Sequence, residues 1–179
     1  MTMPNVLANG PGHFPDADEL MENFDYLEAL FGGVTTLGTE RPSFLVRNSS
    51  GDADITGDGT EATVIWDGEI YDLGGDFASN VFTAPIAGQY LFIAHIRLDT
   101  TSSTTGLQIG IRTSNRIYFD YSSWGSSART TYSALQICVI ADMDANDTAY
   151  VTAYADGLTK VVDLSADPTA NFFSGTKIN

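Results

Sequence analysis

A chain of 179 residues with 43% apolar side chains can bury one sizeable core, so it reads as a single domain with a modest appendage. Its 23 acids against 8 Lys and Arg give a formal charge of −15, which excludes a partner gripped by its phosphate backbone, since no basic cluster is present. The one cysteine, Cys138, excludes an internal disulfide and reads as a small core or interface residue rather than a reactive thiol.

In chain order, residues 1–15 are an arm. Pro4, the run Asn9-Gly10-Pro11-Gly12 and Pro15 prevent regular structure there. The arm has no basic leader region, and nowhere are there about 18 consecutive apolar residues, so neither a signal peptide nor membrane insertion is expected and synthesis in a cytoplasm is the default. Asp16 then caps a short α-helix, in which Leu20, Phe24, Leu27 and Phe31 form a heptad-like stripe. Asp18 and Glu19 suit its positive end, and Gly32-Gly33 stop it. A helix of about four turns is unstable alone in water, so the stripe must pack on its own β domain, on copies of itself, or on a larger assembly. The polar arm ahead of it favours attachment. Residues 34–40 form a linker.

From residue 41 the chain is all-β. RPSFLVR starts a strand, residues 48–60 read as a Gly and Asp loop, and extended structure resumes over residues 62–66. Residues 71–92 hold two turns, at Gly74-Gly75 and at Pro85 to Gly88. The next strand places Tyr90, Phe92, Ala94, Ile96 and Leu98 on one face and Leu91, Ile93, His95 and Arg97 on the other. Later strands repeat the pattern: Leu135, Ile137 and Val139 oppose Tyr132, Gln136, Cys138 and Ile140, and Tyr150 and Tyr154 lie away from Val151 and Ala153. An exposed sheet face should be polar in a monomer. Leu91, Ile93, His95, Tyr132, Cys138, Tyr150 and Tyr154 are therefore expected at a subunit interface, which uses such aromatic and small residues. The connections TTSSTT (100–105) and SSWGSSAR (122–129) are Ser, Thr and Gly loops, and no internal repeat is evident.

Catalysis is not expected. The two histidines are His13, in the arm, and His95, inside an apolar strand where a satisfied interface or core imidazole is the simpler reading. No spacing singles out a carboxylate pair. Asp52, Asp54 and Asp58 partly imitate a calcium loop but lack its closing Glu, Thr63 standing at that position. Asp142 and Asp144 form a second acidic loop. Both read either as solvated turns or as Ca²⁺ ligands, and in an assembly of copies at −15 each a cation would relieve repulsion.

Four stretches, in order, resemble the complement C1q-like globular head, a jelly-roll family related in fold to tumour necrosis factor: PSFLV, IWDGEIYDLGGDF, FTAPIAGQYLF and NFFSGTKI. The stretch ending at Val151 departs from it, reading ADMDANDTAYV where the family often has a Gly-Asp turn, and no collagen-like stalk precedes the domain. The resemblance implies a ten-stranded jelly roll over residues 41–179, a compact homotrimer, and a role in binding. Gly12 to Leu27 is similar to the virion-proximal start of bacteriophage fibre and virion proteins. Together these imply a virion structural protein (head or tail fibre, spike or decoration) assembled in the bacterial host cytoplasm. Residues 1–33 would dock to other capsid or tail proteins, and the head would meet a host-surface glycan, with Tyr121 and Trp124 as stacking residues. Trp124 reads equally as a packing plug at a loop base. The alternatives are a soluble bacterial ligand-binding module, its helix capping its own trimer, and a decoration protein that only stabilises a capsid.

Overall fold

The computed structural model describes residues 41–123 and 130–178. The arm, the linker, the proposed helix with Leu20, Phe24, Leu27 and Phe31, and Trp124 lie outside them. Within them thirteen strands occur: β1 (Ser43–Arg47), β2 (Asp52–Thr56), β3 (Glu61–Thr63), β4 (Gly68–Leu73), β5 (Phe77–Ala78), β6 (Val81–Thr83), β7 (Gly88–Asp99), β8 (Gly106–Thr113), β9 (Ile117–Ser123), β10 (Tyr132–Met143), β11 (Thr148–Asp156), β12 (Val162–Leu164) and β13 (Phe172–Lys177). The number exceeds ten because short segments such as β3, β5, β6 and β12 pair over only two or three residues.

Two antiparallel sheets form. In the first, β10 lies along one edge of β7 over its full length, β13 and β12 share the other edge, and β1 and β4 follow beyond β13. In the second the order is β5, β6, β11, β8, β9, with β3 also on β11. The period-two pattern of β7 is obeyed in full: Tyr90, Phe92, Ala94, Ile96 and Leu98 are completely buried, and the intervening residues are half-buried. Between the sheets Phe44 is the hub of an aromatic cluster, stacked on Phe82 at 5.0 Å and edge-on to Phe173 at 4.9 Å. Ile109, Ile111, Val151 and Ala153 extend this core from the second sheet. Burying one such ring contributes about 1.5–3 kcal/mol, so the ring cluster is what clamps the sheets together.

Two expectations need correction. Residues 48–60 are not one loop, because Asp52–Thr56 forms β2, whose ladder with β12 pairs Asp52 with Leu164 and Thr56 with Val162. Its outward side chains are polar, so no hydrophobic alternation announces it. Cys138 is not a core residue: it is exposed, on the face of β10 opposite to Leu135 and Ile137.

Candidate functional site

Pairing across the first sheet lines up its outer face in rows. One row runs Ile140, Leu91, Thr176, Ser43, Leu73, and the next Cys138, Ile93, Ser174, Leu45, Tyr71. Leu91, Ile93 and Leu45 are half-buried, whereas Ile140 is 57% exposed. An outward sheet face bearing this many aliphatic side chains is unusual for a surface in water. In the third row His95 faces Gln136 and Phe172. Its Nδ1 lies 2.6 Å from the Ala170 carbonyl, which only accepts, so Nδ1 carries the proton. The ring stacks on Phe172 at 5.7 Å, so the imidazole is held in place on this outer face by its own chain. At the end of this face the Arg97 guanidinium sits 4.5 Å over the Tyr132 ring and reaches Asp99 at 3.0 Å.

Five of the expected interface residues, Leu91, Ile93, His95, Tyr132 and Cys138, are therefore brought together. Tyr150 and Tyr154 are not among them, since β11 belongs to the second sheet and their side chains lie on its outer face, across the sandwich. There Tyr150 pairs with Arg112, and Tyr154 with Gln108, which in turn pairs with Tyr121. The Tyr121 and Tyr154 rings are 6.4 Å apart. Along β9, Ile117, Phe119 and Tyr121 all project outward and exposed. Arg112 forms a two-pronged pair with Glu61, whose carboxylate also accepts from Thr152; this pairing holds the guanidinium above its usual pKa.

The acidic candidates do not converge. Asp52 and Asp54 belong to strand β2, not to a calcium-type loop, and the Asp54 N–H donates to Asp163 at 2.7 Å. The Asp58 carboxylate accepts from the Thr60 hydroxyl and N–H, which hold it below the usual carboxylate range. Asp142 faces Gln89 across the ladder. The turn that follows is closed by Asp147, which accepts from the Asp144 N–H at 2.8 Å and from Asn115. Among the described residues no three His, Cys, Asp or Glu side chains gather as a metal site.

The sequence reading did not find a cavity of about 360 Å³ at the seam where β4, the edge of one sheet, meets β5, the edge of the other. Its walls include Trp66, Asp67, Glu69, Phe77 and Asn80. IWDG drew notice only as part of a family pattern. The available signal was a Trp followed by Asp-Gly, a large ring beside a sharp polar turn.

No family model matches the sequence, and no curated protein matches it. The structure is similar to the globular domain of zebrafish complement 1qA protein, at 17% identity and a TM-score of 0.54, covering 77% of this chain and 98% of that one. It is also similar to murine APRIL at pH 5.0, at 15% identity and a TM-score of 0.53, covering 78% of this chain and all of that one. The likeness establishes a C1q/TNF-like jelly-roll fold.

Proposed function

We propose, from a C1q/TNF-like jelly roll with one apolar outer face, that the chain is a homotrimeric bacteriophage virion structural protein: a fibre, spike or decoration head held to the particle by residues 1–33. The carrying observation is the pair of adjoining rows that place Leu91 and Ile140, and Ile93, Leu45 and Cys138, on the outside of the first sheet. Covering it with other copies removes aliphatic surface from water at about 25 cal/mol per Å². The head acts by binding rather than catalysis. Exposed Tyr121 beside Tyr154 supports a glycan-facing role for the second sheet's outer face.

The solution mass of the full chain by light scattering tests the trimer. Ile140→Asp places a charge on an already exposed side chain, so the domain stays folded and the mass drops to that of one chain. A monomeric unaltered chain removes the trimer. Virion incorporation with and without residues 1–33 tests the anchor: particles that acquire the truncated chain equally well would remove the anchoring role, and particles that do not acquire even the full chain would leave a soluble ligand-binding module instead.

A further inference from the structure

Arg112 and Arg116 stand four residues apart in the sequence, and the β8–β9 hairpin brings both to one cavity of about 470 Å³. Two of the chain's eight Lys and Arg meet there, and no acid among the described residues lines the space, although the chain has 23. In a molecule of formal charge −15 that placement is a local reversal of sign. The floor of the cavity is fixed. The Thr113 N–H donates to the Arg116 carbonyl at 2.8 Å, the Ser114 N–H to the Thr148 carbonyl at 3.0 Å, and the Asn115 amide to the Asp147 carboxylate. Arg112 spends one edge of its planar group on Glu61, through Nε at 2.9 Å and through Nη2. A guanidinium carries five N–H donors, so three remain, two of them at Nη1 on the edge turned away from Glu61. Arg116 is exposed, and its guanidinium meets no carboxylate among the described residues. The Tyr150 hydroxyl makes no hydrogen bond among the described residues either. Ile117, 54% exposed, adds an apolar wall opposite Arg112 in the ladder.

We propose that this cavity binds the carboxylate of an acidic sugar, a uronate or sialate unit of a glycan. This rests on the reading of the second sheet's outer face as glycan-facing, and adds the charge of the glycan. A carboxylate presents two coplanar oxygens, which the free edge of a guanidinium matches with parallel N–H···O bonds, and the second arginine adds a further positive charge. Tyr150 supplies a hydroxyl for the ring's polar groups, and Ile117 an apolar surface for its C–H face. The volume falls within the range of ligand pockets, about 300–1,000 Å³, with room for one sugar unit. The charge of the whole chain does not forbid an anion here, because the screening length at physiological salt is about 8 Å and the local arginines dominate. Neighbouring acids are engaged: Glu61 by Arg112 and Thr152, and Asp147 by Asn115 and the Asp144 N–H. A metal cation would meet two like charges and no carboxylate. The cavity belongs to the second sheet, across the sandwich from the apolar rows of the first, so it stays open in the proposed trimer.

The ¹⁵N-labelled full chain is titrated with D-glucuronate, D-galacturonate, D-mannuronate and N-acetylneuraminate, each beside its methyl ester, which keeps the ring and removes the charge. Sodium glutamate and inorganic phosphate are the comparison anions without a sugar ring. The expected result is a saturable shift of the backbone amides of residues 112–117 with at least one sugar acid, its ester binding about tenfold more weakly. Arg116→Gln, at an exposed and unpaired side chain, weakens binding of that acid about tenfold with an unchanged melting temperature. The proposal is overturned, and the glycan-facing reading kept, if the ester binds as tightly as the acid or if Arg116→Gln binds the acid as the parent does. Glutamate or phosphate binding as tightly as the best sugar acid overturns it in favour of a general anion site. If no sugar in either form moves any resonance of the second sheet's outer face, those of Tyr121 and Tyr154 included, the proposal and the glycan-facing reading fall together.

Discussion

Asp67 joins two segments that the chain separates. Its carboxylate accepts from Ser49 and Ser50 and pins the turn after β1 to the start of β4. The Ser50 side chain contributes most, and together with the Ser49 and Ser50 N–H groups and the Ser49 hydroxyl it outweighs the opposing cost of burial and holds its pKa below 3.8. A lowered carboxylate pKa stabilises the fold above the unfolded value and loses that contribution as pH falls through the folded one. Asp67→Ala is therefore expected to cost about 1 kcal/mol at pH 7, the low end because the group is exposed. Urea titrations of the two proteins should converge below pH 3.8. Asp76 has the opposite sign: burial first, and the nearby Asp72 carboxylate second, raise its pKa. Its ionised form is disfavoured in the fold, and the penalty is relieved as pH falls through the raised pKa. Asp76→Asn should raise the thermal midpoint at pH 7 by about 1 °C, a few tenths of a kcal/mol after solvent screening, with the gain vanishing in acid.

At the scale of elements, β13 is where the packing tolerates least. A Cβ on Gly175 would lie 2.5 Å from the Phe44 ring and 2.7 Å from the Phe92 ring. Neither ring can retreat, since Phe44 also packs on Phe82 and Phe173. Gly175→Ala should destabilise by about 1–3 kcal/mol, the cost of overpacking a filled core, measured by chemical denaturation; no change would mean that the sheets separate more readily than this geometry allows. The same scale separates readable strands from hidden ones. β7, β10 and β11 announce themselves through alternating aliphatic and aromatic residues. β2 does not, because its partner β12 lies about a hundred residues along the chain and its own side chains are largely polar.

For the whole molecule, charge and apolar surface act against each other. Copies carrying −15 each repel, while in the proposed trimer the outer face of the first sheet would draw them together. Raising NaCl from about 0.05 to about 0.5 M shortens the screening length severalfold, so sedimentation should show tighter self-association at high salt. Weaker association at high salt would mean that ion pairs, not aliphatic contact, hold the copies. Arg97 would be the first place to look, held as it is between Asp99 and the Tyr132 ring.

The sequence by itself determined the all-β class, the inward and outward faces of the long strands, and the resemblance to a C1q-like head. These follow from a two-residue period and from local turn chemistry, which are properties of neighbours in the chain. Only the tertiary structure decided which outward faces belong together. Leu91 and Tyr150 satisfy the same local pattern, yet they lie on opposite sides of the sandwich because β7 pairs with β10 and β13 while β11 pairs with β8. The Trp66 recess likewise exists only where the edges of two sheets meet, and its walls come from segments whose approach is set by long-range pairing and the burial of the Phe44 cluster.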